Sequence, residues 1–133
     1  MNQKLLKNGF ILAALMNCSV LVFSRGFTNT AINEADPVVM SNFGLLMIVM
    51  WGIAYLSAVT VISNIKWVAG AFALEKLIYG VVWVKWLLGN SLEAVYSTDI
   101  FAGIFYSIYG LNDFFFMAFF LWVFISSSQK NNA

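Results

Sequence analysis

Four stretches of about twenty apolar residues, parted by polar breaks, fix most of what this chain can become. A helix of about 20 apolar residues is long enough to cross the hydrocarbon core of a bilayer. Stretches of that length run at about 5–24, 43–62, 67–88 and 100–125. Hydrocarbon offers no hydrogen bonds to the backbone, so each stretch is expected to satisfy its N–H and C=O groups internally, as a helix. The fold expected is therefore all-α: one domain over residues 1–133, an integral membrane bundle of four transmembrane helices. Composition agrees, with 62% hydrophobic and 10% charged residues against about 45–50% and about 25% in an ordinary soluble domain.

The connections also have readable chemistry. Arg25 to Asn42 makes a loop of some length, Ser63-Asn64-Ile65-Lys66 a tight turn, and Gly89 to Asp99 a medium loop. Asp36-Pro37 is a good cap followed by a first-turn proline, so the second span is allowed an earlier start. Ser97, Thr98 and Asp99 are candidate caps for the fourth. The tail Ser126 to Ala133 is polar and expected to be mobile. The first stretch imitates a secretory signal, with Lys4 and Lys7, an apolar run and Val22-Phe23-Ser24 as a tolerable cleavage site. It is read here as a span.

Basic residues beside short loops favour the cytoplasmic side. With both termini inside, Lys4, Lys7, Lys66 and Lys130 share the inner face with no acid, while Glu34, Asp36, Glu93 and Asp99 join Arg25 and Lys85 outside. The expected topology is N-in, C-in, in a bacterial inner membrane. Trp67 and Trp122 then fall at the inner interface, and Trp83, Trp86 and Tyr96 at the outer one.

Several function classes drop out. A net charge of +1 supplies no basic face for nucleic acid. One cysteine, Cys18, excludes an intrachain disulfide and any paired-cysteine motif, and the absence of histidine removes the commonest metal ligand and general base. No nucleophile–base pair, metal set or phosphate loop is visible, so no enzyme, metal or cofactor is expected.

What remains is a set of polar residues where they cost most. With a rise of about 1.5 Å per residue, Asn17 lies about 15 Å beyond Lys7 and Glu75 about 14 Å beyond Lys66, half of a roughly 30 Å core. Asn112 and Asp113 lie halfway along the fourth stretch and Gly52 halfway along the second. A charge at the bilayer centre costs about 2.5–3.5 kcal/mol even on the insertion scale, so Glu75, Lys76 and Asp113 demand compensation. Adjacent residues on a helix point about 100° apart, so Glu75 and Lys76 must address different surroundings. Lys76 shares a face with Ala69, Ala73, Gly80 and Trp83; Asp113 shares one with Tyr106, Tyr109, Gly110 and Met117. Small residues on both strips allow close approach, and Lys76 is expected to pair with Asp113. Glu75 is left to Asn17, to Tyr55 or Tyr79, to water or to another subunit.

Bulk packing and lipid contact explain the run Phe114-Phe115-Phe116 with Phe119-Phe120, which covers every side of its helix; sterol, quinone or pigment binding is the alternative. The loop carrying Arg25, Asn29, Asn33, Glu34 and Asp36 reads as a solvated connection that is able to lid an outward pocket. Four spans in 133 residues, a longer first loop and a tight turn make a build similar to several small bacterial membrane families, DoxX-like proteins among them. A lone membrane glutamate also resembles that of the small multidrug resistance transporters, but theirs belongs to the first span, where this chain has Asn17. The departure argues against carrying their mechanism across.

The function expected is a small multi-pass membrane protein that binds or translocates a small solute, proton or ion at a midplane site of Glu75, Lys76, Asp113, Asn112, Asn17, Tyr55, Tyr79 and Tyr109. The alternative is an accessory subunit of a larger membrane complex, the charges serving as a register-fixing ion pair. Gly44, Gly52, Gly80, Gly103 and Gly110 supply more close-packing faces than one bundle is expected to need, so the partners expected beside lipid are further copies or a larger complex.

Overall fold

The computed structural model describes residues 1–130, and all regular structure among them is helical. In chain order these are α1 (Gln3–Cys18), α2 (Val20–Phe23), α3 (Thr30–Ala35), α4 (Asn42–Ala58), a 3-10 segment (Val59–Asn64), α5 (Lys66–Gly89), α6 (Leu92–Thr98) and α7 (Ile100–Lys130). Four helical stretches, Gln3–Phe23, Asn42–Asn64, Lys66–Gly89 and Ile100–Ser127, are long and apolar enough to cross a membrane. In the 18-residue apolar window of each, 22–33% of the residues are buried, so much apolar side-chain surface lies on the outside of the bundle.

The stretches alternate in direction, so one end of the bundle holds the N terminus, the 3-10 segment and the start of α5, and the other holds α3 and α6. Helix α7 packs most extensively on α5, and α1 on α4, whereas α1 and α7 touch sparsely. Two hydrophobic clusters fill the interior. The one toward the N-terminal end contains Leu6, Phe10, Tyr55, Phe72, Phe116 and Phe120. The one toward the loop end contains Val20, Ile32, Met40, Leu45, Trp83, Trp86 and Tyr106.

Local chemistry explains where the helices start. Asn2 caps α1 through the Lys4 amide at 2.9 Å. Ser41 Oγ accepts from the Gly44 amide at 3.1 Å and starts α4 at Asn42. Asp36-Pro37 does not cap it; Asp36 instead closes α3 and accepts from the Val39 amide at 3.1 Å in a turn. Of the three candidate caps before α7, Asp99 is the one used, its Oδ2 accepting from the Ala102 amide at 2.9 Å. Ser97 and Thr98 bond back to the Ala94 carbonyl inside α6.

Several expectations are corrected. Both longer loops contain short helices, α3 and α6, because Asn29 and Ser91 cap them. The tail begins as helix, α7 running on to Lys130, and Asn131 to Ala133 lie outside the described residues. Trp83 and Trp86 are core residues, not interface rings, because their indole N–H groups reach the Tyr106 carbonyl at 2.7 Å and the Ala35 carbonyl at 2.8 Å. Trp67 is 73% exposed and Trp122 43%, as outward rings are. The glycine faces are consumed within the chain: a side chain would strike Val39 at Gly44, Asn17 and Cys18 at Gly52, Phe114 at Gly80, Tyr96 at Gly103 and Trp83 at Gly110. They supply no ground for an oligomer.

Candidate functional site

All four long helical stretches deliver a polar side chain to one layer between the two hydrophobic clusters. Asn17 comes from α1, Tyr55 from α4, Glu75 and Lys76 from α5, and Tyr109 and Asp113 from α7. Gly52 lets α1 come close to α4 beside Asn17; a Cβ there would sit 3.1 Å from the Asn17 Cβ. Gly110 does the same for α5 and α7, where its missing side chain leaves room for the Trp83 ring.

Lys76 is 1% exposed, yet its ammonium is well supplied. Nζ donates to Asp113 Oδ1 at 2.6 Å and to Asn17 Oδ1 at 2.8 Å. The Asn17 amide in turn donates to the Ile48 carbonyl at 3.0 Å, which fixes the orientation of its oxygen toward Lys76. One ammonium thus ties α5 to α7 and α1, and through Asn17 to α4. Charge-assisted bonds of this kind are the strong ones, and a buried ion needs them.

Glu75 points another way, as the 100° helical offset requires. Its Oε2 accepts from the Tyr55 hydroxyl, a residue with no exposed surface in the N-terminal cluster. Of the partners expected for Glu75 the structure selects Tyr55, and Asn17 answers Lys76 instead. The Tyr55 ring also lies under Lys76, with Nζ 5.3 Å from its centroid, so Tyr55 joins the two halves of the layer through its hydroxyl and its π face.

A cavity of about 40 Å³ opens beside these groups. Seven of the eight residues expected at the site line it: Asn17, Glu75, Lys76, Tyr79, Tyr109, Asn112 and Asp113. Tyr55 does not; it stands behind Glu75 as its hydrogen-bond donor. Ser19 and Phe105 line it as well. Ser19 carried a usable signal, since serine inside an apolar helix competes for backbone bonds, and here its hydroxyl bonds the Met16 carbonyl where α1 gives way to α2. No pattern in the sequence marked Phe105.

One buried atom stands apart. Tyr109 is 8% exposed, and among the described residues its hydroxyl is the buried side-chain polar atom with no hydrogen-bond partner. Comparison with models of protein families, with curated proteins and with solved structures finds no match. The geometry of the site therefore carries the functional reading by itself.

The site is closed toward both ends of the bundle. Below it, toward the N-terminal end, Phe72, Phe116 and Phe120 pack with Tyr55 and Phe10. Above it, Trp86 stacks on Tyr106 at 4.3 Å between centroids. Helix α3 seals that end, its Ile32 carbonyl accepting from the Tyr106 hydroxyl at 2.7 Å. The loop before α3 is held by Asp99, which takes Arg25 at 2.8 Å and Asn29 at 2.7 Å. These bonds and the Ala102 amide keep the Asp99 carboxyl below its ordinary range, the amide contributing most. The loop of Arg25, Asn29 and Asn33 is thus a fixed cover rather than a free connection, with Asn33 bonded to the Met40 carbonyl at 2.7 Å.

Proposed function

We propose that this chain is a small, non-catalytic multi-pass membrane protein that holds a small polar group at mid-height of its bundle, beside Glu75 and the Lys76–Asp113 pair. The observation that carries the reading is one cavity lined by Asn17, Glu75, Lys76, Asn112 and Asp113 together with Tyr109, whose buried hydroxyl has no protein partner. Leaving a buried hydroxyl unpaired costs about 1–3 kcal/mol, and an occupant with one donor or acceptor atom removes that cost. Size limits the occupant. The cavity is small, about 40 Å³, which favours a compact polar group over a bulky solute. Aromatic layers above and below favour holding over conduction, so passage of a solute along the bundle axis is not part of the proposal.

Identification of what co-purifies from native membranes tests it. Wild-type protein is expected to carry a bound molecule in stoichiometric amount, and Tyr109→Phe to lose it while keeping its helical content. Equal recovery from both proteins, or from neither, refutes the reading.

One observation favours a second function, that of an accessory subunit in a larger membrane complex. The Lys76 ammonium is answered by Asp113 and Asn17 within one chain, which is what a register-fixing ion pair requires. Here Lys76→Met with Asp113→Leu is expected to preserve assembly with partners, and Tyr109→Phe to change nothing but stability.

A further inference from the structure

The cavity has a side opening. Helices α1 and α7 run antiparallel with few contacts between them. Toward the N-terminal end they are bridged by Phe10 and Phe119, with centroids 5.8 Å apart, and toward the loop end Phe23 of α2 meets Phe105 of α7 at 6.2 Å. Between these two aromatic contacts lie Met16, Ile108 and Asn112, which line both the cavity and a second hollow, an apolar groove of about 390 Å³ on the outer face of α1 and α7. The groove continues over Leu12, Leu111 and Phe115, all exposed, Phe115 to 65%. In a bilayer that face meets acyl chains.

The cavity and the apolar groove are thus adjacent, with charged and amide groups at the cavity, the head end, and only apolar side chains beyond the shared residues, the tail end. The head end is small and holds the unpartnered Tyr109 hydroxyl, with Asn112 at the window able to donate and to accept. Its one cation, Lys76, is already bonded to Asp113 and Asn17, so the head end offers a carboxylate or phosphate no free counter-charge. Its volume of about 40 Å³ favours a compact polar head.

From these features we infer that the occupant is lipid-borne: a single-chain amphiphile with a neutral oxygen head, of the long-chain alcohol class, enters sideways between α1 and α7. Its hydroxyl bonds the Tyr109 hydroxyl in the cavity and its chain lies along Leu12, Leu111 and Phe115. The inference rests on the reading of the cavity as a binding site and adds the chemistry and route of the ligand.

The test uses the full chain in lipid nanodiscs and a hexadecanol analogue bearing a photoreactive diazirine near its hydroxyl end. Labelling is expected on the segments around Met16 and Ile108, with competition by unlabelled hexadecanol. Hexadecane and palmitate are each expected to compete about tenfold less well, hexadecane for want of one neutral hydrogen bond and palmitate for want of a counter-charge. Tyr109→Phe is expected to weaken labelling by a similar factor, and Met16→Trp, which fills the window from the lipid side, to abolish it. Equal competition by hexadecane, or labelling untouched by Met16→Trp, overturns the inference and needs no variant at Tyr109. If a water-soluble molecule co-purifies with wild type and is lost from Tyr109→Phe while the alcohol does not label, the binding site stands and the lipid route falls. If nothing co-purifies and nothing labels, both fall.

Discussion

Replacing Lys76 alone, Asp113 alone and both together separates a buried ion pair from two independent charges. At 2.6 Å between Nζ and Oδ1, the attraction is about 6 kcal/mol at an effective dielectric of about 20. Taking each ion out of water costs several kcal/mol, so the intact pair sits near break-even. Breaking it does not. In Lys76→Met the Asp113 carboxylate loses its cation and Asn17 Oδ1 loses its donor, and the expected cost is about 3–5 kcal/mol. Asp113→Leu leaves the ammonium with Asn17 alone and is expected to cost as much. The double variant removes both ions and fills the space with apolar groups. Its remaining loss is the Asn17 contact, about 1 kcal/mol, so it is expected to lie within about 2 kcal/mol of wild type, a coupling of several kcal/mol between the two sites. Reversible unfolding of the purified protein in mixed micelles, followed by circular dichroism, gives all three values. Additive costs, or a Lys76→Met loss under about 1 kcal/mol, would refute the assignment of Lys76 and Asp113 to one pair.

Tyr55→Phe removes the donor to Glu75 and is expected to cost about 1–3 kcal/mol, as leaving a buried polar group without its partner does, measured in the same unfolding assay. Gly110→Ala places a methyl 2.0 Å from the Trp83 ring, and overpacking of that kind is expected to cost about 1–3 kcal/mol and to change the near-ultraviolet tryptophan signal. The cover before α3 is expected to be pH-dependent in one direction. Asp99 is held below its ordinary range, so its contribution is complete above about pH 4, the usual aspartate value, and is lost as pH falls through the lower folded value. Hydrogen exchange at Gly26 to Asn29 is expected to stay slow at neutral pH and to quicken only in strong acid; Asp99→Asn is expected to quicken it at neutral pH and to flatten the dependence.

How far the site was legible can be judged residue by residue. Lys76 and Asp113 were matched by their small-residue strips, because charge and helical offset restrict both depth and direction. The partner of Glu75 was narrowed to Asn17, Tyr55, Tyr79, water or another subunit and no further, since Asn17 and Tyr55 stand at similar depth and only the rotation of α1 and α4 about their own axes decides which reaches it. Trp83 and Trp86 misled because a ring near a span end suits an interface, and nothing local reports the carbonyls of Tyr106 and Ala35 that draw the indoles inward. The glycines misled in the opposite sense. Their close-packing faces are real, but the rings that occupy them, Trp83, Tyr96 and Phe114, come from the same chain.

Sequence by itself determined that the regular structure is helical, that four stretches are long and apolar enough to cross a membrane, and that Asn17, Glu75, Lys76 and Asp113 share one height. Each of these follows from composition, length and rise per residue, which are properties of one helix at a time. The tertiary structure decided what depends on how helices turn and lean against one another. It assigned Tyr55 to Glu75 and Asn17 to Lys76, buried the Tyr109 hydroxyl without a partner, and left α1 and α7 in sparse contact. Apolar faces specify that helices bury surface, but the rotation of each helix is set by all of its neighbours at once, and no single stretch of sequence contains that information.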